Sequence, residues 1–294
     1  MKALGLIYFS ALVAGSVAGL VTGLPDARGE MGADFPKRRP KSELAWVGEK
    51  QEFSVSFLGF TGLHVEIEVL PQEIVGSRKS YHVRAKVRNS DFLGIFYNID
   101  DTAETWIDYE GLFSHRFHLV QNESKLSRES WENHDHAKGE TSYRNLSQRK
   151  GEKAENSQVT SRFPTLAQDS FSSFYFLRTL PLEIGESYRI PVVSEGNSIE
   201  VQATVEGVDL ISSLGSKVQA LQIRLQKLDK NGNTNPGQNN LVWLSNDERR
   251  ILLRVDVTTR FGHIVGDLKN FRAGTPSSEN DVRVSAASAT DGAI

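Results

Sequence analysis

The chain contains no cysteine and only 2 methionines in 294 residues. Disulfides, thiolate metal centres, cysteine nucleophiles and an acylated-cysteine lipoprotein anchor are thereby excluded. Charge of one sign is also scarce, because 34 Lys and Arg against 37 Asp and Glu leave a net charge of -3, with both signs mixed along the chain. Such a chain offers no field for gripping nucleic acid. Catalytic signatures are missing too. There is no Gly-x-Ser-x-Gly elbow, no Ser-x-x-Lys set with its partners, no His-Glu-x-x-His, no phosphate-cradling loop and no dinucleotide fingerprint. The expectation is a protein that is not an enzyme and needs no cofactor. Its stability must come from burial, at about 25 cal/mol per Å² of apolar surface, and the length allows one large core.

What is present begins with an address. Met1-Lys2 precedes an apolar run from Ala3 to Val21, with no charge before Asp26. This is an export segment: either a signal peptide over residues 1–23 or a retained inner-membrane anchor. Small residues at Val17/Gly19 and Val21/Gly23 and the lack of a stop-transfer pattern favour cleavage. In both cases the rest of the chain is translocated, into a periplasm or outer envelope. Residues 24–43, with Pro36-Lys37-Arg38-Arg39-Pro40, read as a flexible linker, and 273–294, rich in Ser, Ala and Thr, as a disordered tail.

Between these lies a single domain over 44–272 dominated by alternation with period two, the mark of strands with one buried and one wet face. Phe53, Val55 and Phe57, then Leu63 to Val69, Tyr81 to Val87, Ile199 to Val205 and Ile251 to Val257 all follow it. From Val218 to Leu225 the phase changes, which a β-bulge near Ala220 would repair. Only Asp169–Arg178 shows helical spacing, with Asp169 as N-cap and an end near Pro181. The polar stretch from Asn122 to Phe163 carries Trp131 and Tyr143, which hint at two short hairpin strands. The expected fold is all-β: a curved antiparallel sheet or open β-barrel of about a dozen strands with one short helix packed on or in it.

The order of several segments resembles a bacterial exported family named domain of unknown function 3108. Its landmarks here are Val47-Gly48-Glu49, Gly59 to Gly62, Tyr81 to Arg88, Asp101 to Asp108 with Gly111-Leu112, Gln168 to Arg178, Gly185 to Tyr188, Val242 to Ser245, Asp247 to Arg250 and Gly262. One departure is Ile251, where the family pattern leads one to expect a proline after Arg250. The resemblance implies an exported, mostly antiparallel β protein of the envelope with no established activity. Its charged landmarks Asp169, Arg178, Asp247 and Arg250 read as structural: a helix cap, then ion pairs around the helix and the hairpin at Ser245 to Arg249.

Other constellations favour plain readings. His134-Asp135-His136, with Glu129 and Glu132, would place two imidazoles on one strand face, but in a polar loop without supporting contacts it reads as a surface cluster, so no metal is expected. His115 and His118 would face opposite sides of a strand. Asp229 to Asn233 starts like a calcium loop but has Thr234 and Asn240 where Gly and Glu are required, so it reads as a turn. The carboxylates Asp100, Asp101, Glu104 and Asp108 read as solvated or ion-paired. The leading function is non-enzymatic binding, with Phe57, Val65, Phe171, Phe174, Tyr175 and Trp243 lining an interior for an apolar or lipid-like ligand unless they simply pack as core. The alternative is a structural or protein-interaction module in envelope assembly, working through sheet edges and the arm around Trp131.

Overall fold

The structure is a computed structural model that describes residues 35, 37–38, 44, 46–57, 59–90, 94, 97–234, 240–259, 262–276 and 282–283. The export segment and most of the linker and tail lie outside the described residues. The alternating segments form strands β1 (Lys50–Phe57), β2 (Phe60–Val75), β3 (Arg78–Asn89), β4 (Asp100–Asp108), β5 (Ser114–Glu123), β6 (Leu126–Asp135), β7 (Glu140–Arg149) and β8 (Glu155–Arg162). After helix α1 (Ser172–Leu177) come β9 (Ser187–Ser194), β10 (Asn197–Ser213), β11 (Ser216–Lys227), β12 (Asn240–Ser245), β13 (Leu252–Thr259), β14 (Gly262–Arg272) and the short β15 (Val282–Arg283).

One sheet holds them all, in the order β8-β7-β6-β5-β4-β3-β2-β1-β14-β13-β12-β11-β10-β9. Every neighbour pair along that path is antiparallel, and β15 adds in parallel to Gln72 and Glu73 of β2. The sheet curves but does not close strand to strand. The gap is crossed by the segment before α1: Ser114 N–H donates to Ala167 O, Gln168 N–H to Pro191 O, and Val193 N–H to Gln168 O. The apolar sides of the alternating strands meet inside, where Tyr81, Ile107, Ile223 and Val242 are fully buried in one continuous core.

Several local expectations are corrected. Three full strands, β6 to β8, replace two short ones across the polar stretch. The bulge that rephases the β10–β11 pair sits in β10 at Glu206, between Val205 and Gly207, and not in β11 near Ala220. Asp169 is not the N-cap, which is Phe171. Its Oδ1 instead accepts the N–H groups of Phe171 and Ser172, turning the chain into the helix. Arg178 forms the expected ion pair, donating to both oxygens of Glu49 at 2.7 Å in the core. Asp247 pairs with Arg249 at 2.8 Å in the hairpin. The missing proline has a reason: Ile251 N–H donates to Ser245 Oγ at 2.8 Å, a bond that proline cannot make.

Candidate functional site

Antiparallel connectivity gives the shell two rims. The rim at the β4–β5 and β6–β7 turns also carries the β10–β11 turn and the point where the N-terminal segment enters. There Phe35 packs edge-on against Phe113, with ring centroids 5.2 Å apart, and Arg38 donates to the carbonyls of Gly111, Leu112 and Leu166.

On this rim the polar residues of β4 to β6 converge. His115 is the extra residue of a bulge between β4 and β5, since Trp106 pairs with Arg116 but Ile107 pairs with Ser114. The bulge turns its ring onto Asp108, with Nε2 2.9 Å from Oδ2. Arg78 forks onto the same carboxylate. Burial alone would raise Asp108, but Arg78, His115 and the Gly111 N–H hold it well below the usual carboxylate range. A cleft of about 520 Å³ opens beside this pair, lined by Phe35, His115, His134, His136 and residues of β7.

The histidines of the His134-Asp135-His136 run are buried, not on a surface loop: β6 carries His134 under the rim and the turn that follows it carries His136. His136 accepts the Leu166 N–H at Nδ1 and meets Ser114 O at 2.6 Å through Nε2. An imidazole that accepts at one nitrogen and donates at the other is neutral and has one tautomer. Burial agrees, pushing His136 down to about 4 and His134 down to about 3. His134 Nδ1 meets Thr141 Oγ1, and its Nε2 has no hydrogen-bond partner among the described residues. No set of three or more His, Asp or Glu side chains is arranged to hold a metal ion among those residues.

Below the rim two carboxylates close the seam of the shell. Asp169 accepts hydrogen bonds from Thr105 and Ser114 hydroxyls as well as its two N–H groups, and burial still pushes it up. Glu132 reaches across the gap from β6 and accepts the N–H groups of Glu195 and Gly196 in the β9–β10 turn, at 3.1 and 2.7 Å. Burial pushes it up to about 7. Arg128 grips Glu195 at 2.6 Å, and Ser161 Oγ donates to Gly196 O. Gly196 has φ +73°, and a Cβ there would meet Tyr143 at 3.4 Å, so glycine lets the turn nest against β7.

On the outer face a row of hydrogen bonds crosses five strands. Glu73 and Glu104 flank His82 at 3.0 Å each, and Glu104 and Glu129 flank His118 at 3.6 and 3.0 Å. His82 stacks on Trp106 and His118 on Trp131. Hydrogen bonds from His118 and His82 lower Glu104 to about 2. Glu129 and Glu132 therefore serve opposite faces of β6, as the period of two requires. Asp100 pairs with Arg88, and Asp101 accepts from Asn122 N–H and Gln121.

The six side chains expected to line a ligand space are placed as follows. Val65, Phe171, Phe174 and Tyr175 are buried in the continuous core, and Phe57 is half-buried against it. Phe171 stacks on Phe117 and Tyr175 meets Trp46 edge-on. Trp243 is turned the other way. It pairs with Gln222 and Arg254, out of phase with the interior residues Val242 and Val255, and its Nε1 donates to Asp209 at 2.8 Å.

That bond supports a feature not singled out in the sequence. β9 pairs with β10 only as far as Thr204, and β12 reaches β11 only from Ala220. Beyond those limits β10 and β11 continue as a two-stranded lip. Val208 pairs with Leu221 and so continues the interior face past the rim. Val208 and Leu210 are 42% and 63% exposed, Leu214 at the turn 43%, and Ile184, whose neighbour Gly185 bonds to Val205, 63%. Strict alternation from Ile199 to Val205 would put Val208 and Leu210 on the wet face, and the bulge at Glu206 returns them to the interior phase. Only the lengths of the neighbouring strands reveal that nothing covers them.

One solved structure supports the fold. A β-barrel-like protein of domain of unknown function DUF1849 from Brucella abortus superposes with a TM-score of 0.50 at 12% identity, covering 78% of this chain and 99% of its own. A protein described as exported, with a YmcC-like fold, from Bacteroides fragilis gives 0.33 at 7% identity over 81% and 98%. One described as a lipoprotein, from Parabacteroides distasonis, gives 0.33 at 8% over 81% and 100%. No curated protein matches the chain. A family profile, however, matches residues 52–269, from β1 to β14. The chain belongs to the family described as protein of unknown function (DUF3108).

Proposed function

We propose that this is an exported envelope protein that works by binding and not by catalysis, and that the β10–β11 lip is its contact surface. The observation that carries this reading is the exposed apolar continuation of the interior face at Val208 and Leu210, with Leu214 and Ile184 beside it. Apolar side chains grouped beyond a rim mark a contact site more often than scattered ones do. Export rests on the run from Ala3 to Val21. The side chains that an enclosed apolar ligand would need are largely engaged in the core, which favours a contact at the edge of the shell over one inside it.

The test is hydrogen exchange on the purified full chain with and without an envelope fraction of the expressing cell. Protection gained over 207–217, without protection at the opposite β1–β2 turn, is the expected result. Unchanged exchange at the lip would overturn the reading. Native mass spectrometry checks the interior, where a co-purifying lipid mass would restore the enclosed-ligand alternative.

A further inference from the structure

We propose that the lip is covered by a phospholipid bilayer, into whose interface Leu210 and Leu214 insert. This rests on the reading of the lip as the contact surface and names its occupant.

Three observations lead there. The first is position. The lip leaves the same rim at which the N-terminal segment enters, since Phe35 packs on Phe113 and His136 and the antiparallel register puts the β4–β5, β6–β7 and β10–β11 turns together. Residues 22–34 separate that point from the apolar run ending at Val21. A chain of that length spans at most about 45 Å, so where the run is retained as the anchor it holds this rim, and not the opposite one, close to a membrane.

The second is chemistry. The tip of the lip, from Leu210 to Leu221, carries a single charge, Lys217, among serines, glycine, glutamine and apolar residues, while the acidic Glu206 and Asp209 lie at its base and Glu183 and Glu186 flank Ile184. A sparse basic charge beside exposed leucines suits an interface of anionic headgroups over acyl chains. The third is size. Three apolar side chains on a two-stranded ribbon, with Ile184 beside them, fall well short of the roughly 1,000 Å² that a specific protein interface needs, but shallow insertion into lipid requires no more than a few. The ribbon is also braced for it. Trp243 holds Asp209 from the reverse face, and the Arg254 guanidinium lies 6.0 Å from the Trp243 ring, so the apolar face is held outward without a partner.

The absence of cysteine makes the test direct. Single-cysteine variants L210C, L214C and F60C of the full chain would carry an environment-sensitive fluorophore and be mixed with vesicles of phosphatidylethanolamine and phosphatidylglycerol. Phe60, 78% exposed on the opposite rim, is the internal control. The expected result is a blue shift with quenching by brominated lipid at 210 and 214, and neither at 60. Adding Leu214→Ser to the L210C chain should lower the lipid concentration dependence at 210 about tenfold.

Equal responses at 210 and 60 would mean that the N-terminal run alone brings the molecule to lipid, and would overturn the proposal. So would a shift at 210 that appears without lipid and grows with protein concentration, which would make a second copy the occupant. No response at 210 with lipid, combined with protection of the lip by the envelope fraction, would sink the lipid assignment and leave the lip as a contact for an envelope protein.

Discussion

The two arcs of the shell are built from the same alternating backbone but lined by different chemistry. From β9 through β14 and into β3 the inner positions are Val, Ala, Ile and Leu, as in Val201, Ala203, Val205, Ile223, Val242 and Val255. From β5 to β7 they become Gln121, Ser130, Glu132, His134, Thr141 and Tyr143. The first arc is held by non-directional burial. The second is held by hydrogen bonds that must each find a partner. This polar arc is also the one that crosses the unclosed seam, where directed bonds from Glu132 and Arg128 substitute for a strand ladder.

The largest expected effect comes from the charged exception inside the apolar arc. Arg178→Ala strands Glu49 in the core and should cost about 3–5 kcal/mol, read from the urea midpoint. Replacing Arg178 and Glu49 together by apolar residues should cost clearly less, since the penalty lies in the unpaired charge. A double variant as unstable as the single one would contradict that account. Next, Leu244→Ala in the apolar arc should cost about 2–5 kcal/mol, against about 1 kcal/mol for Thr141→Ala in the polar arc. Equal losses would erase the distinction between the arcs.

The arcs should also differ with pH. Burial raises Glu132 to about 7 in the fold, against an ordinary glutamate near 4.3 when unfolded. Its proton is thus bound more tightly in the native state. That contribution to stability is complete below about pH 4 and is lost as pH rises through 7. Glu132→Gln should flatten this slope, at a cost of about 1–3 kcal/mol at low pH because one backbone N–H loses its acceptor. Exchange at the Glu195–Gly196 turn would show whether the seam opens before the rest. Glu104 acts in the opposite direction. Held at about 2 by His118 and His82, it stabilises above about pH 4, and its share is lost as pH falls toward 2. Denaturation of Glu104→Gln should lack this smaller acid-side slope.

The apolar arc was legible in the sequence because burial of one strand face writes a two-residue period, and Phe53 to Phe57 or Tyr81 to Val87 show it plainly. The polar arc was not. Ser130, Glu132 and His134 keep the same period but carry no apolar mark, so β6 reads as a short strand at Trp131 running into a loop until Glu195, Gly196 and Thr141 are seen as their partners. Partners remote in sequence leave no local trace. The same limit hid the role of Asp169, whose donors Thr105 and Ser114 come from β4 and β5. Trp243 shows the converse failure. It is aromatic and buried, yet it faces out of the shell, because its phase and not its chemistry decides the side. The lip escaped notice because the bulge at Glu206 changes the phase of its alternation, while its exposure depends on where β9 and β12 stop.

That last point yields the smallest expected effect on stability and the sharpest contrast, because it compares two residues of one strand on one face. Val205 and Leu210 both point to the interior side of β10, as their pairs Ile223 and Gln219 and the bulge at Glu206 require. Val205 is fully buried, and Leu210 is 63% exposed. If coverage by neighbouring strands and not sequence pattern sets the energy, Val205→Ser should cost several kcal/mol, because it removes buried apolar surface and leaves a hydroxyl to satisfy. Leu210→Ser should change the urea midpoint by no more than about 0.5 kcal/mol. A large loss at Leu210 in the isolated protein would mean that the lip folds back onto the core in solution, and the rim would then end where β9 ends.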